Sequence, residues 1–189
     1  MAARALSLRH LPNLICLARI ALIWPTVVAL RAGQYPVALA LFIVAAVSDG
    51  LDGYLAKRFR WTSDLGRFLD PLADKLLLMV LFVQCAWLAL VPWWLSAAVV
   101  ARDVMIGVGA LIFRAWFGPL HGRPTAISKF NTGAQLLYLA LVLLALSIGV
   151  PPREMLEAAA LIVLATTVLS GLHYLRSFAL RAWSRPAPT

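Results

Sequence analysis

Apolar residues run along this chain in six long stretches, at 11–30, 35–56, 68–90, 92–117, 127–148 and 155–180. Each is close to the ~20 residues that a helix needs to cross the hydrocarbon of a bilayer. The polar positions between them are few and carry turn chemistry. Gly33 and Gln34 close the first hairpin. Val91 and Pro92 join the third stretch to the fourth, and Gly149, Val150, Pro151 and Pro152 join the fifth to the sixth. Trp87, Trp93 and Trp94 flank the middle turn, as aromatic residues do at a membrane interface. No internal repeat or low-complexity linker interrupts the pattern. It predicts an all-α, polytopic membrane protein, a single domain over 1–189 with six transmembrane helices. Residues 1–10, with Arg4, Leu6, Leu8 and Arg9, suit an interfacial amphipathic helix, and 184–189 reads as a frayed tail. A signal peptide is the alternative for the N-terminus. The apolar stretch that follows is long for one and contains Arg19, which favours a retained first span.

Composition points the same way. The 189 residues are 62% hydrophobic and 13% charged, whereas a soluble domain is nearer half apolar and a quarter charged. Too few charges remain to cover a water-exposed surface. The net charge of +9 would suggest nucleic acid on a soluble protein. Here the cations sit beside and between the apolar stretches, so anionic lipid is the better partner and no nucleic acid is expected. Their distribution sets the orientation. One side collects Arg4, Arg9, Lys57, Arg58, Arg60, Arg67, Arg114, Arg123, Lys129, Arg181 and Arg185; the other has Arg31 and Arg153, the latter beside Glu154 and Glu157. By the positive-inside rule both termini, the second–third loop and the fourth–fifth loop are cytoplasmic. Cys16 and Cys85 both fall in apolar stretches and read as packing residues, not a disulfide framework.

The acidic residues concentrate in one region. Of eight in the chain, five lie between Asp49 and Asp74. Asp49 and Asp52 are three apart and Asp70 and Asp74 four apart, so each pair shares a helix face. The first pair lies near the cytoplasmic end of the second span and the second pair near the cytoplasmic start of the third. If these spans are antiparallel neighbours, four carboxylates converge at one depth. Such a cluster would repel itself unless cations compensate it, and two divalent ions supply the matching charge. Neither His nor Cys accompanies it, and an oxygen-only set selects hard ions such as Mg2+, Mn2+ or Ca2+. Gly53 and Ala56 follow Asp52 on nearly the same face, and Gly66 precedes Asp70 by one turn. Bare backbone there would admit a nucleotide; close helix packing is the alternative. Pro71 falls inside the third helix and kinks it beside the carboxylates, or lies in its first turn if the helix starts late.

These residues resemble the signature of the CDP-alcohol phosphatidyltransferases, Asp-x2-Asp-Gly-x2-Ala-Arg-x8-Gly-x3-Asp-x3-Asp. The chain matches it at Asp49, Asp52, Gly53, Ala56, Gly66, Asp70 and Asp74. It departs at Lys57, which keeps the charge of the usual Arg and loses its bidentate fork. The resemblance implies a homodimer of six-helix protomers. It implies that Asp49, Asp52, Asp70 and Asp74 hold two divalent cations, Mg2+ or Mn2+, and that Asp74 is also the general base. It implies a CDP site formed by Asn13, Asp52, Gly53, Ala56, Lys57 and Gly66. CMP would leave as an acceptor hydroxyl attacks the lipid-side phosphorus of CDP-diacylglycerol.

Flanking segments narrow the resemblance. Pro12-Asn13-Leu14-Ile15 with Arg19 is similar to the family's first helix. Arg102-Asp103-Val104, Arg123-Pro124-Thr125, Ser128-Lys129-Phe130-Asn131-Thr132 and Gln135 resemble eukaryotic-type cardiolipin synthases. Relatives that make phosphatidylglycerophosphate usually carry Lys-x-Lys-Thr where this chain has Lys129-Phe130-Asn131-Thr132. A phosphate monoester carries nearly two charges and suits two cations, whereas the diester of phosphatidylglycerol carries one. Asn131 thus favours the lipid acceptor, with Arg19, Arg102, Arg123, Lys129 and Asn131 as the acceptor or phosphate set. Phosphatidylglycerophosphate synthesis from glycerol 3-phosphate is the close second. Arg19 and Arg102 have an alternative role as snorkelling or structural cations. His10, His121 and His173 lie outside the cluster and receive no catalytic role. A cation transporter would also place carboxylates in a membrane, but such proteins often show repeats and midplane sites. A bacterial inner membrane with the site on its cytoplasmic side is expected over a mitochondrial one, because the chain is compact.

Overall fold

The computed structural model describes residues 11–59, 64–117 and 125–183; at 11–15, 49–59, 64–74, 113–115, 117, 178–179 and 181–183 it describes the backbone alone. The expected features at 1–10 and 184–189, and the residues Arg4, Arg9, His10, Arg60, His121, Arg123 and Arg185, lie outside the described residues. The described chain is all-α: α1 (Leu11–Arg31), α2 (Tyr35–Phe59), α3 (Asp64–Trp87), α4 (Trp93–Phe117), α5 (Ala126–Ile148) and α6 (Arg153–Trp183). These are the six expected segments, with ends displaced by a few residues.

The turns end the helices by the chemistry read from the sequence. Gly33 adopts φ 68° and its N–H donates to the Leu30 carbonyl. Gly149 caps α5 in the left-handed region at φ 79°, and its N–H donates to the Ala145 carbonyl at 2.8 Å. Glycine is favoured at both because a Cβ disfavours that conformation. Thr125 caps the start of α5, its hydroxyl accepting from the Ser128 N–H at 3.2 Å. Ala89, in the α3–α4 turn, is the non-glycine residue at positive φ (55°) among the described residues.

Among the described residues three helices are long and apolar enough to cross a membrane: α4 over Trp93–Ile112, α5 over Ala126–Ile148 and α6 over Arg153–Ser177. Shorter apolar helical runs cover Tyr35–Ser48 of α2 and Lys75–Trp87 of α3. The outward face is itself apolar, with Leu111, Leu137, Leu161, Leu169 and Leu172 all exposed. A contiguous surface of that kind is disfavoured in water and suits lipid. Trp87 and Trp93 are 83% and 74% exposed at the α3–α4 turn, as the interfacial reading requires.

The sequence leads one to expect α2 and α3 side by side. Among the described residues α1 packs extensively on both. Helix α5 packs on α2 and α6, and α4 packs on α3 and α6. The interior changes character along the bundle axis. Towards the α3–α4 turn it is mainly apolar, with Leu30, Phe42, Leu81, Phe82, Leu95, Leu139 and Val163, and Thr26, Gln84 and Ser96 are the polar side chains buried there among the described residues. Towards the opposite end the buried side chains become polar: Arg19, Arg102, Asp103, Asn131, Gln135, Thr167 and Ser170.

Candidate active site

The polar end of the bundle is the end that carries the signature. Asp49 and Asp52 lie in the later turns of α2, and Asp70 and Asp74 in the earlier turns of α3. Helix α3 starts at Asp64, so Pro71 lies beyond its first turn and inside the helix. Asn13, Gly53, Ala56, Lys57 and Gly66 also sit on helical backbone, on α1, α2 and α3. Side chains are described up to Ser48 on α2 and from Lys75 on α3, so the four carboxylate groups lie outside the described side chains. Among the described residues no three His, Cys, Asp or Glu side chains cluster.

Residues bordering the signature meet at one small cavity. Ala45 lies one turn before Asp49, and Leu78 one turn after Asp74. Both line a cavity of about 30 Å³, together with Ala46, Leu77, Thr132, Leu136 and Arg19. This cavity lies between α1, α2, α3 and α5. Arg19 is fully buried there. It does not snorkel to an interface; its charge is held in the interior.

A second buried constellation joins four helices beside Asp74. On α4, Arg102 and Asp103 are 5% and 4% exposed. The Arg102 Nη1 donates to Asp103 Oδ1 at 2.5 Å. Its Nη2 donates to Ser128 Oγ on α5 at 2.7 Å and to Ser170 Oγ on α6 at 2.5 Å. The guanidinium carbon lies 5.9 Å from the centroid of the Tyr174 ring, within cation–π range. Lys75, the residue after Asp74, donates from Nζ to the same Asp103 Oδ1 at 2.7 Å. A buried carboxylate is thus shared by two cations, and hydroxyls satisfy part of the remaining guanidinium. Ser128 is placed for this by the Thr125 cap, which fixes the first turn of α5.

The predicted acceptor set is dispersed. Arg19 lines the small cavity, and Arg102 is engaged by Asp103, Ser128 and Ser170. Asn131 is fully buried between α5 and α6, its Oδ1 accepting from Thr166 Oγ1 and Thr167 Oγ1, each at 2.9 Å. Lys129 is exposed. Among the described residues these side chains do not converge on one open pocket. A cavity of about 770 Å³ lies at the other end of the bundle, among Trp93, Trp94, Tyr138, Leu156 and Ala160, and contains none of the predicted site residues. Reading the sequence assigned no role to Lys75, Asp103, Ser170 or Tyr174. The available signal was Asp103 itself, an acid inside an apolar stretch, where ionisable residues are costly.

Comparison with known proteins gives the arrangement its context. The family model for CDP-alcohol phosphatidyltransferase matches residues 9–172. A probable cardiolipin synthase (CMP-forming) of Drosophila melanogaster is 34% identical over 167 residues, covering 80% of this chain and 50% of that protein. The cardiolipin synthase (CMP-forming) of Rattus norvegicus is 33% identical, covering 69% of this chain and 48% of its own length. The CDP-diacylglycerol--glycerol-3-phosphate 3-phosphatidyltransferase of Bacillus subtilis is 31% identical, covering 71% and 77%. The chain therefore spans about half the length of the animal relatives and about three quarters of the bacterial one. With the signature on α2 and α3 and the match running from α1 into α6, this chain belongs to the CDP-alcohol phosphatidyltransferase family.

Proposed function

We propose that the protein transfers a phosphatidyl group from CDP-diacylglycerol to an alcohol and releases CMP, with phosphatidylglycerol as the acceptor and cardiolipin as the product. The observation that carries this reading is the family match over 9–172, which encloses the whole carboxylate signature. The polar interior at that end of the bundle supports it, since buried polar side chains there serve no apolar packing. Six membrane spans, cytoplasmic termini, a cytoplasmic-side site in a bacterial inner membrane and a homodimer complete the proposal.

The donor set of Asp49, Asp52, Asp70 and Asp74 is oxygen-only, which fits hard divalent cations such as Mg2+ or Mn2+. Two such ions, when bound, would neutralise the donor's pyrophosphate and polarise the phosphorus under attack. The chain's own part is to bind and orient. Gly53, Ala56 and Gly66 leave backbone open to the cytidine nucleotide, with Asn13, Asp52 and Lys57 beside it. Asp74 takes the proton of the acceptor hydroxyl. The new acceptor O–P bond forms, the P–O bond to CMP breaks, and CMP leaves with its phosphate. Arg19, Arg123 and Lys129 supply positive surroundings for the acceptor phosphate; Arg102 and Asn131, engaged by Asp103, Ser128, Ser170, Thr166 and Thr167, act only through the helices they join.

Glycerol 3-phosphate is the second reading for the acceptor. The bacterial relatives named for it match this chain over most of their own length, at 31% and 35% identity. Purified protein supplied with CDP-diacylglycerol, Mg2+ or Mn2+ and one of the two acceptors separates the readings. Cardiolipin formed only with phosphatidylglycerol establishes the first. Phosphatidylglycerophosphate formed only with glycerol 3-phosphate replaces it with the second. Asp70→Asn and Asp74→Asn should insert and fold while losing turnover by at least a hundredfold, on the scale of general acid–base contributions. Full activity in both variants would sink the site assignment.

A further inference from the structure

The Lys75–Asp103 contact does more than join two helices. Lys75 follows Asp74 directly in α3, and its ammonium rides on a flexible four-carbon stem. Its side chain is 40% exposed, and an ammonium left without a partner is drawn to a neighbouring carboxylate by opposite charge. A lysine paired with a carboxylate competes with any divalent ion for that ligand. The structure places the ammonium on α4. Lys75 Nζ lies 2.7 Å from Asp103 Oδ1 on α4, and the Asp103 side chain is 2% exposed. Arg102 anchors Asp103 from the other side and is itself tied to Ser128 and Ser170.

We propose that Asp103 is a positioning residue for the reaction: it holds the Lys75 ammonium on α4 and so keeps the signature carboxylates available to divalent cations. The inference rests on the carboxylate site proposed above. Arg102 serves Asp103, setting its oxygen where Lys75 meets it. Ser128 and Ser170 fix Arg102 in turn, so α5 and α6 bear on a ligand located on α3. Groups behind a metal ligand commonly change metal affinity by about 10–100-fold when removed.

The test measures Mn2+ binding to purified protein in detergent, by electron paramagnetic resonance of the free ion, beside the Mn2+ dependence of CMP release. Asp103→Asn should raise the half-saturating Mn2+ concentration about tenfold or more in both readouts. Adding Lys75→Met to that variant should return binding to within about twofold of the unsubstituted protein, because the competing ammonium is gone; a merely structural Asp103 would not be rescued this way. Unchanged Mn2+ binding in Asp103→Asn overturns the proposal, as does a loss that Lys75→Met fails to relieve. Should Asp103→Asn fail to fold, Lys75→Met alone decides. It leaves the Arg102–Asp103 pair intact and should bind Mn2+ at least as tightly as the unsubstituted protein, whereas threefold weaker binding overturns the idea. Asp70→Asn separates the two levels: if it binds Mn2+ normally, the carboxylate site itself is wrong, whatever Asp103 does.

Discussion

Arg102 is a buried cation held by Asp103, Ser128 and Ser170, and replacing it probes the polar end of the bundle directly. Arg102→Met removes the charge and keeps an unbranched apolar stem. Two interhelical hydrogen bonds disappear, to Ser128 on α5 and Ser170 on α6. Within a membrane such bonds average ~0.6 kcal/mol and reach ~1.7, so together they account for about 1–3 kcal/mol. Asp103 also loses its buried partner. Breaking a buried ion pair from one side costs ~3–5 kcal/mol in soluble proteins. Lys75 remains 2.7 Å from Asp103, which we take to halve that cost to about 2 kcal/mol. The sum is about 3–5 kcal/mol. At ~2–4 °C per kcal/mol for a chain of this size, the midpoint of thermal unfolding in detergent should fall by roughly 6–20 °C. Lys129→Met is the comparison: Lys129 is exposed on the first turns of α5, and surface changes stay within about 0.5 kcal/mol. Circular dichroism of both variants reads the difference. Midpoints for the two within about 2 °C of each other would refute the view that Arg102 holds α4, α5 and α6 together.

Other outcomes follow from particular contacts. Asn131→Lys places an ammonium in a fully buried position facing Thr166 and Thr167. A lysine deep in a membrane helix costs ~2.5–3.5 kcal/mol, so folded yield should drop without a change of acceptor; a stable variant that uses glycerol 3-phosphate would contradict the observed burial. Gly149→Ala forces a Cβ into the left-handed cap at φ 79° and should lower stability by about 1 kcal/mol, read as a lower unfolding midpoint. Ala89→Gly runs the other way: Ala89 already occupies φ 55°, and relief of that strain should raise the midpoint by up to about 1 kcal/mol equivalent.

The proposed carboxylate site could be read from the sequence because its signature is local in the chain. Asp49 with Asp52, and Asp70 with Asp74, reveal themselves by spacing, and the glycines and alanine between them complete a signature readable in one dimension. The acceptor set was less legible. Arg102, Lys129 and Asn131 look equivalent as polar residues in or near apolar stretches. Their burial, which separates them, depends on which helix lies opposite. Asn131 meets Thr166 and Thr167, thirty-five and thirty-six positions away, and Lys129 faces outward two residues earlier on the same helix.

The sequence by itself determined the six helical segments of the described residues and their turns, and put the signature positions on two of them. Those follow from runs of apolar residues long enough for a bilayer and from backbone preferences at Gly33, Gly149 and the prolines, all of which act between near neighbours. Only the tertiary structure decided that α1 packs on both α2 and α3, that the interior turns from apolar to polar along the bundle, and that Lys75 is turned onto Asp103. In a membrane the outer surface is as apolar as the core, so hydropathy cannot say which face of a helix points inward. That choice rests on the few buried polar contacts between distant segments.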